Sequence, residues 1–333
     1  MHILTCNNIN RDKWSRLVQS SSTGTWFQTP EAYEFFASMR DLFSPFAIGV
    51  EREKKLAGVC VGYITKEKNP IKQFFTRRAI IIGGPALANE CTNDELTALM
   101  GAVKRELKSK AIYLEVRNFN NYSQWRQAFV EAGFDYKPHF NFHIDTSSVE
   151  VVDTNLGKSR KRDIRTSLRD GAVVIENPTL EQVRQYYTIL YNLYKTRVKT
   201  PLFPFMFFEK LWHHQDGRFL LIELKGEIIG GTVCVEQAGK CLYEWFVCGR
   251  DGEWKSIFPS TLATYSGIKY AAERDLPRFD MMGAGSPDEA YGVRDFKAKF
   301  GGVEVEYGRF IFIENPLLYE IGVLGVKLLK KLK

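Results

Sequence analysis

A segment near residue 45 returns near residue 217, and this repeat limits the chain to two copies of one small α/β architecture. Residues 45–51 read as a strand, 52–55 as a charged turn and 56–63 as the returning strand. Residues 219–223, 224–227 and 228–235 do the same in the second half. At a constant offset of 172 residues, Glu51 meets Glu223, Leu56 meets Ile228 and Gly58 meets Gly230. Their β-branched runs and polar turns predict β-hairpins. The order persists downstream. Residues 94–108 have helical periodicity and lead into a strand at 111–116, as 259–274 lead into 278–282. A further helix follows near 122–131 and near 288–299, each running into a Gly/Phe pair, Gly133-Phe134 and Phe300-Gly301. Each half is expected to close on its own strand, carrying Phe140, Phe142 and Ile144 in the first and Phe310, Phe312 and Ile313 in the second. Hairpins followed by helix-linked strands predict mixed sheets flanked by helices, an α/β (α+β) chain of two units. The expected division is 1–150 and 151–333. The second unit would include a basic helix at 158–169, a strand at 172–176, helices at 180–197 and 205–213, and a basic C-terminal helix.

At 333 residues, the chain is long enough for two cores. The first residues lack the basic and apolar regions of a secretory signal, and no apolar run approaches the ~20 residues that span a bilayer. The expected compartment is the cytoplasm. Cys6, Cys60, Cys91, Cys234, Cys241 and Cys248 form no CxxC pair and read as reduced thiols. His139 and His143 would stand about 13 Å apart along a strand, too far to share an ion, so no metal is expected. The net charge of +7 is concentrated in two places. One runs from Lys158 through Arg160, Lys161, Arg162 and Arg165 to Arg169; the other is the tail with Lys327, Lys330, Lys331 and Lys333. Localised positive charge suits an anionic partner, although either cluster also reads as a solvated helix face. Arg162, Arg165 and Arg169 share one face and are expected to hold an anionic donor. In the tail, Leu317, Ile321, Leu324, Leu328 and Leu332 recur at helical spacing. They predict either a helix packed on the second unit or a basic amphipathic helix on anionic lipid, at the inner face of the cell membrane.

The segment with most chemical content is Tyr291-Gly292-Val293-Arg294-Asp295-Phe296-Lys297-Ala298-Lys299-Phe300-Gly301. Phe296 and Phe300, at i and i+4, would enter the core, which turns Lys297 and Arg294 towards the rim of the sheet. Two cations there could bind phosphate or stabilise negative charge on an acyl carbonyl; a surface amphipathic helix fits the same pattern. Asp280, Glu244 and Asp288 are candidate proton acceptors, each also readable as structural. No Ser-His-Asp or Cys-His arrangement stands out, so direct transfer without a covalent intermediate is expected.

The F-K-x-x-F-G segment, preceded by Phe279-Asp280-Met281-Met282-Gly283-Ala284-Gly285, resembles the C-terminal signature of FemABX-type aminoacyl transferases and their GNAT relatives. Trp26-Phe27-Gln28-Thr29 is similar to that family's F-Q-[ST] entry, Arg160–Arg165 to its basic helix, and Tyr194-Lys195-Thr196-Arg197 to its T-x-R stretch. The resemblance spans almost the whole chain in consistent order. It implies two GNAT-like acyl-CoA N-acyltransferase folds in tandem and an N-acyltransferase activity. The implied donor is aminoacyl-tRNA and the implied acceptor an amine of a peptidoglycan or envelope precursor. It also implies a transfer role for Lys297 and acceptor contacts for Arg197, Tyr243 and Trp245. The alternative is an acetyl- or acyl-CoA-dependent enzyme of envelope polysaccharide or lipid metabolism. The Q/R-x-x-G-x-G/A turn of acetyl-CoA users has no counterpart at 249–256. The donor, tRNA or CoA, would be a co-substrate, with no tightly bound cofactor expected. A third reading is a basic RNA- or membrane-associating protein on an inactive scaffold.

Overall fold

The structure, a computed structural model, describes residues 1–288 and 292–331, with side chains throughout except those of Lys72 and residues 326–331. Tyr291 of the signature, and Leu328, Leu332, Lys327, Lys330, Lys331 and Lys333 of the tail stripe and its charges, therefore lie outside the described residues or side chains. The chain separates into two compact units, Met1–His139 with Tyr307–Lys333, and Phe140–Glu306.

The first unit carries β1 (His2–Thr5), β2 (Phe43–Arg52), β3 (Lys55–Thr65), β4 (Arg78–Gly83), β5 (Ala86–Leu87), β6 (Tyr113–Asn118) and β7 (Asp135–Lys137). The strand between β6 and β7 comes from the far end of the chain, Arg309–Ile313. The second unit carries β8 (Phe140–Asp145), β9 (Ala172–Ile175), β10 (Gly217–Leu224), β11 (Glu227–Gln237), β12 (Cys241–Gly249), β13 (Arg278–Asp280) and β14 (Val303–Glu306). With Arg309–Ile313 numbered β15, the sheet orders are β1-β2-β3-β4-β6-β15-β7 and β9-β10-β11-β12-β13-β8-β14, with β5 beside β3. They correspond position for position.

The repeat extends to backbone detail. In the first hairpin Val50 faces Gly58 and Glu51 faces Leu56, leaving Ala57 as a bulge. In the second, Ile222 faces Gly230 and Glu223 faces Ile228, leaving Ile229. Both turns hold two successive left-handed residues, Glu53-Lys54 and Lys225-Gly226, as a two-residue hairpin of matching twist requires. Three of those four have side chains, so the turn is specified by pairing on either side as much as by glycine.

The expected division at 150/151 does not hold, because the closing strands are exchanged between units. Phe310 stacks on Phe129 at 3.9 Å in the first core. Beside it, Arg309 and Arg117 pair with the buried carboxylate of Glu115. Burial opposes ionisation there, yet the two guanidiniums hold that carboxyl at about 2. Phe142 and Ile144 of β8 fill the second core instead. Alternation in β8 and β15 reveals a strand with one buried face, but not which sheet it completes.

The F-Q-T entry has a structural part to play in the first unit. β3 and β4 pair only at Tyr63↔Ile80 and Ile64↔Ala79. Gln28, fully buried, bridges the strands where they part: its Nε2 donates to Val61 O (3.0 Å) and Ile82 O (2.8 Å), and its Oε1 accepts from Val61 N (2.7 Å).

Candidate functional site

The second sheet opens where the first stays paired. Parallel β4 and β6 match over six residues, from Arg78↔Tyr113 to Gly83↔Asn118. Their counterparts β12 and β13 match only at Leu242↔Phe279 and Tyr243↔Asp280. Beyond that point β12 runs on to Gly249, while β13 ends at Asp280. β12 also bulges there: Val233 faces Phe246 but Cys234 faces Glu244, so Trp245 is the extra residue. Bulges commonly re-aim side chains beside a site.

Past β13 the backbone turns sharply through left-handed Met282 (φ 54°) and Gly283 (φ 114°). Lys297, on the helix Gly292–Ala298, reaches this turn. Its Nζ donates to the carbonyls of Met281 and, at 2.8 Å, Gly283. Two of three ammonium donors are thereby engaged. Burial lowers the Lys297 pKa, and the nearby carboxylates of Glu244 and Asp280 partly offset that. Glu244 is its counterpart: burial raises its pKa, and Lys297 opposes the rise. Thr232 Oγ1 donates to Glu244 Oε1 at 3.3 Å, and the buried hydroxyls of Thr232 and Thr264 both favour the ionised carboxylate. Asp280 differs. Although burial works against the anion, His143 and Asn141 lower its pKa, with His143 Nε2 3.1 Å from Oδ2 and Asn141 Nδ2 donating to Oδ1 at 2.8 Å. Asp280 Oδ1 also accepts from Met282 N at 2.8 Å, so this carboxylate anchors the turn.

Other residues expected at the site take varied places. Arg294 Nε donates to Ala284 O at 3.1 Å and its guanidinium lies 4.7 Å from the Phe140 ring, bracing the same turn. Tyr243 is fully buried and its hydroxyl donates to Gln237 Oε1 at 3.1 Å, so it presents no surface for the expected acceptor contact. Trp245 is half-buried, edge-on to Phe207 at 5.1 Å. Arg197 is exposed on the π-helical turn Tyr194–Val198, which continues the long helix Leu180–Leu193. Asp288 is exposed in a turn.

The basic helix spans Lys158–Arg169, as its periodicity predicts. Arg160 is buried, 4.4 Å from the Phe296 ring, and donates to Thr261 Oγ1 at 3.1 Å. Arg162, Arg165 and Arg169 are exposed; Arg162 pairs with Asp163 and Arg169 with Asp170. The neighbouring helix Pro259–Glu273 is closed at its N-terminus by the chain itself, where Ser260 N donates to Asp251 Oδ1 at 3.2 Å. A cleft of about 530 Å³ bounded by Glu176, Trp212, Arg218, Tyr270 and Arg274 shares none of these residues. Sequence reasoning placed Glu244 among the candidate proton acceptors, considered His143 only as a metal ligand, and left Asn141 unassigned. All three act across strands distant in sequence, and no local pattern marks them.

Residues 158–297 match the acetyltransferase (GNAT) domain family, a match that begins at the basic helix and ends on Lys297. This segment is a GNAT acetyltransferase domain, and the protein is an acyltransferase. The fold is similar to that of FemX, at 15% identity and TM-score 0.73, covering 96% of this chain and 99% of that one. It is also similar to the C-terminal domain of a putative lysylphosphatidylglycerol synthetase from Agrobacterium fabrum (13% identity, TM-score 0.59, 96% and 95% covered). A tandem GNAT protein from the clavulanic acid biosynthesis pathway shares it too (8%, TM-score 0.53, 95% and 99%). The chain thus has the tandem GNAT fold. No curated protein matches it.

Proposed function

We propose that this GNAT-type acyltransferase takes an aminoacyl group from aminoacyl-tRNA and passes it to an amine of a cell-wall or envelope precursor. The observation that carries the choice of donor is Asp251. Free N–H groups at the start of Pro259–Glu273 would suit the pyrophosphate of coenzyme A. Here the Asp251 carboxylate accepts from Ser260 N, and a second anion would meet like charge. Beside that helix, Lys158–Arg169 exposes Arg162, Arg165 and Arg169 at i, i+3 and i+7, a spacing that favours a polyanion. The likeness to FemX and to a putative lysylphosphatidylglycerol synthetase, whose name describes an aminoacylated product, supports the same reading.

The residues at the opened strands suit the chemistry. The attacking amine must be neutral, and its nitrogen forms the new C–N bond as the ester C–O bond to the tRNA ribose breaks. Glu244, whose pKa burial raises, accepts the amine proton, which passes to the departing ribose oxygen. Lys297 supplies positive charge as the carbonyl oxygen becomes anionic. Arg197 would grip a phosphate of the acceptor.

The test is filter binding of charged tRNA at several salt concentrations, with acetyl-CoA titrated calorimetrically in parallel. Wild-type protein is expected to bind tRNA and not acetyl-CoA. Changing Arg162, Arg165 and Arg169 together to Gln should weaken binding and reduce the log–log salt slope by about 2. Acetyl-CoA binding without tRNA binding would overturn the proposal and favour the second reading, an acyl-CoA donor, which the matched acetyltransferase family supports.

A further inference from the structure

The C-terminal helix Pro316–Lys331 turns its apolar stripe outward. Leu317, Ile321 and Leu324 lie at i, i+4 and i+7 and are 71%, 43% and 57% exposed. The side facing the first unit instead carries Tyr319, packed edge-on against Tyr113 at 5.2 Å, and Gly322, which lies beside Phe75 O. The helix Pro70–Thr76 packs against it and adds Ile71, Phe74 and Phe75, which are 73%, 45% and 38% exposed. Two adjoining helices of one unit thus present six large apolar side chains to solvent, a concentration that marks an interaction surface.

The surrounding charge decides what it meets. Residues 66–78 hold Lys66, Lys68, Lys72, Arg77 and Arg78 against a single acid, Glu67. Residues 316–333 hold Lys327, Lys330, Lys331 and Lys333 against Glu320. Apolar side chains on segments whose sequence is this basic complement an anionic lipid surface, where apolar groups enter the acyl boundary and lysines remain at the headgroups. Among the described residues no helix is long and apolar enough to cross a membrane. We infer that Pro70–Thr76 and Pro316–Lys331 together form an interfacial docking face for an anionic bilayer. This inference is independent of the donor proposed above. It extends the expectation of a lipid-binding tail to a second helix and assigns the tail to the first unit.

The test is co-sedimentation of the full chain with vesicles of phosphatidylcholine alone or mixed with phosphatidylglycerol. Binding is expected only with phosphatidylglycerol and should weaken as salt rises. The double variant Ile71→Asp/Leu317→Asp should lose about tenfold or more in vesicle affinity while keeping its circular dichroism and melting temperature, since both side chains are exposed. Lys68→Glu should weaken binding to a lesser degree. The inference is overturned by equal binding of wild type and double variant, by binding to neither vesicle, or by equal binding to neutral and anionic vesicles. It is also overturned if sedimentation velocity shows a dimer that the double variant dissolves while no vesicle binding is seen, which would assign the face to a second copy.

Discussion

Replacing Lys297 with Met tests the buried centre of the second unit most directly. The substitution nearly conserves volume but removes the charge, leaving Glu244 buried without its counter-ion and the carbonyls of Met281 and Gly283 without a donor. Two buried carbonyls left unpaired, at about 1–3 kcal/mol each, cost about 2–6 kcal/mol. At roughly 2–4 °C per kcal/mol for a unit of this size, the melting temperature should fall on the order of 10 °C. The dependence on pH separates charge from packing. The folded-state pKa of Glu244 is already raised, so its contribution disfavours folding once pH exceeds the unfolded carboxyl value of ~4.3. Without Lys297 that pKa rises further, and stability should be lost over a wider range as pH increases. The deficit relative to wild type should therefore be larger at about pH 8 than at about pH 5. Adding Glu244→Gln removes the stranded charge and should recover about 1–3 kcal/mol relative to additivity. Differential scanning fluorimetry across pH on wild type, both single variants and the double variant measures all of this. A deficit independent of pH, together with an additive cycle, would refute the coupling between Lys297 and Glu244. Where Lys297→Met remains folded, transfer should still fall about 10²-fold if its charge stabilises the transition state.

Gln28→Ala would leave three backbone groups of β3 and β4 without partners. It should cost about 3 kcal/mol in urea unfolding, and a loss below about 1 kcal/mol would show that water substitutes freely. Arg197→Ala should leave the melting temperature unchanged, because the side chain is exposed, and should raise the acceptor KM about tenfold with kcat little affected. An unchanged KM would remove Arg197 from the acceptor site.

Much of the architecture was legible because local patterns specify it. The offset of 172 residues reappears in matched bulges and matched left-handed turns. The basic helix begins and ends where its charges and apolar positions indicated. The F-Q-T entry was visible as a motif, but the duty of Gln28 was not, because its partners lie 33 and 54 residues away. Exposure of the Leu317 stripe was equally hidden. Helical spacing identifies an apolar face without saying whether protein or another phase covers it.

Sequence alone determined the two hairpins, the helices marked by their periodicity, and the helix that bears Lys297, since these rest on interactions within a few residues. Only the tertiary structure decided which sheet receives β8 and which receives β15. An alternating strand satisfies any edge of matching register, and the choice fell to Phe310 on Phe129 and to Arg309 and Arg117 around Glu115. It also decided that the strands part at Tyr243 and Asp280, bringing Glu244, Asp280 and Lys297 into one field. Burial sets the ionisation of these groups, and burial is a property of the packed whole rather than of any segment.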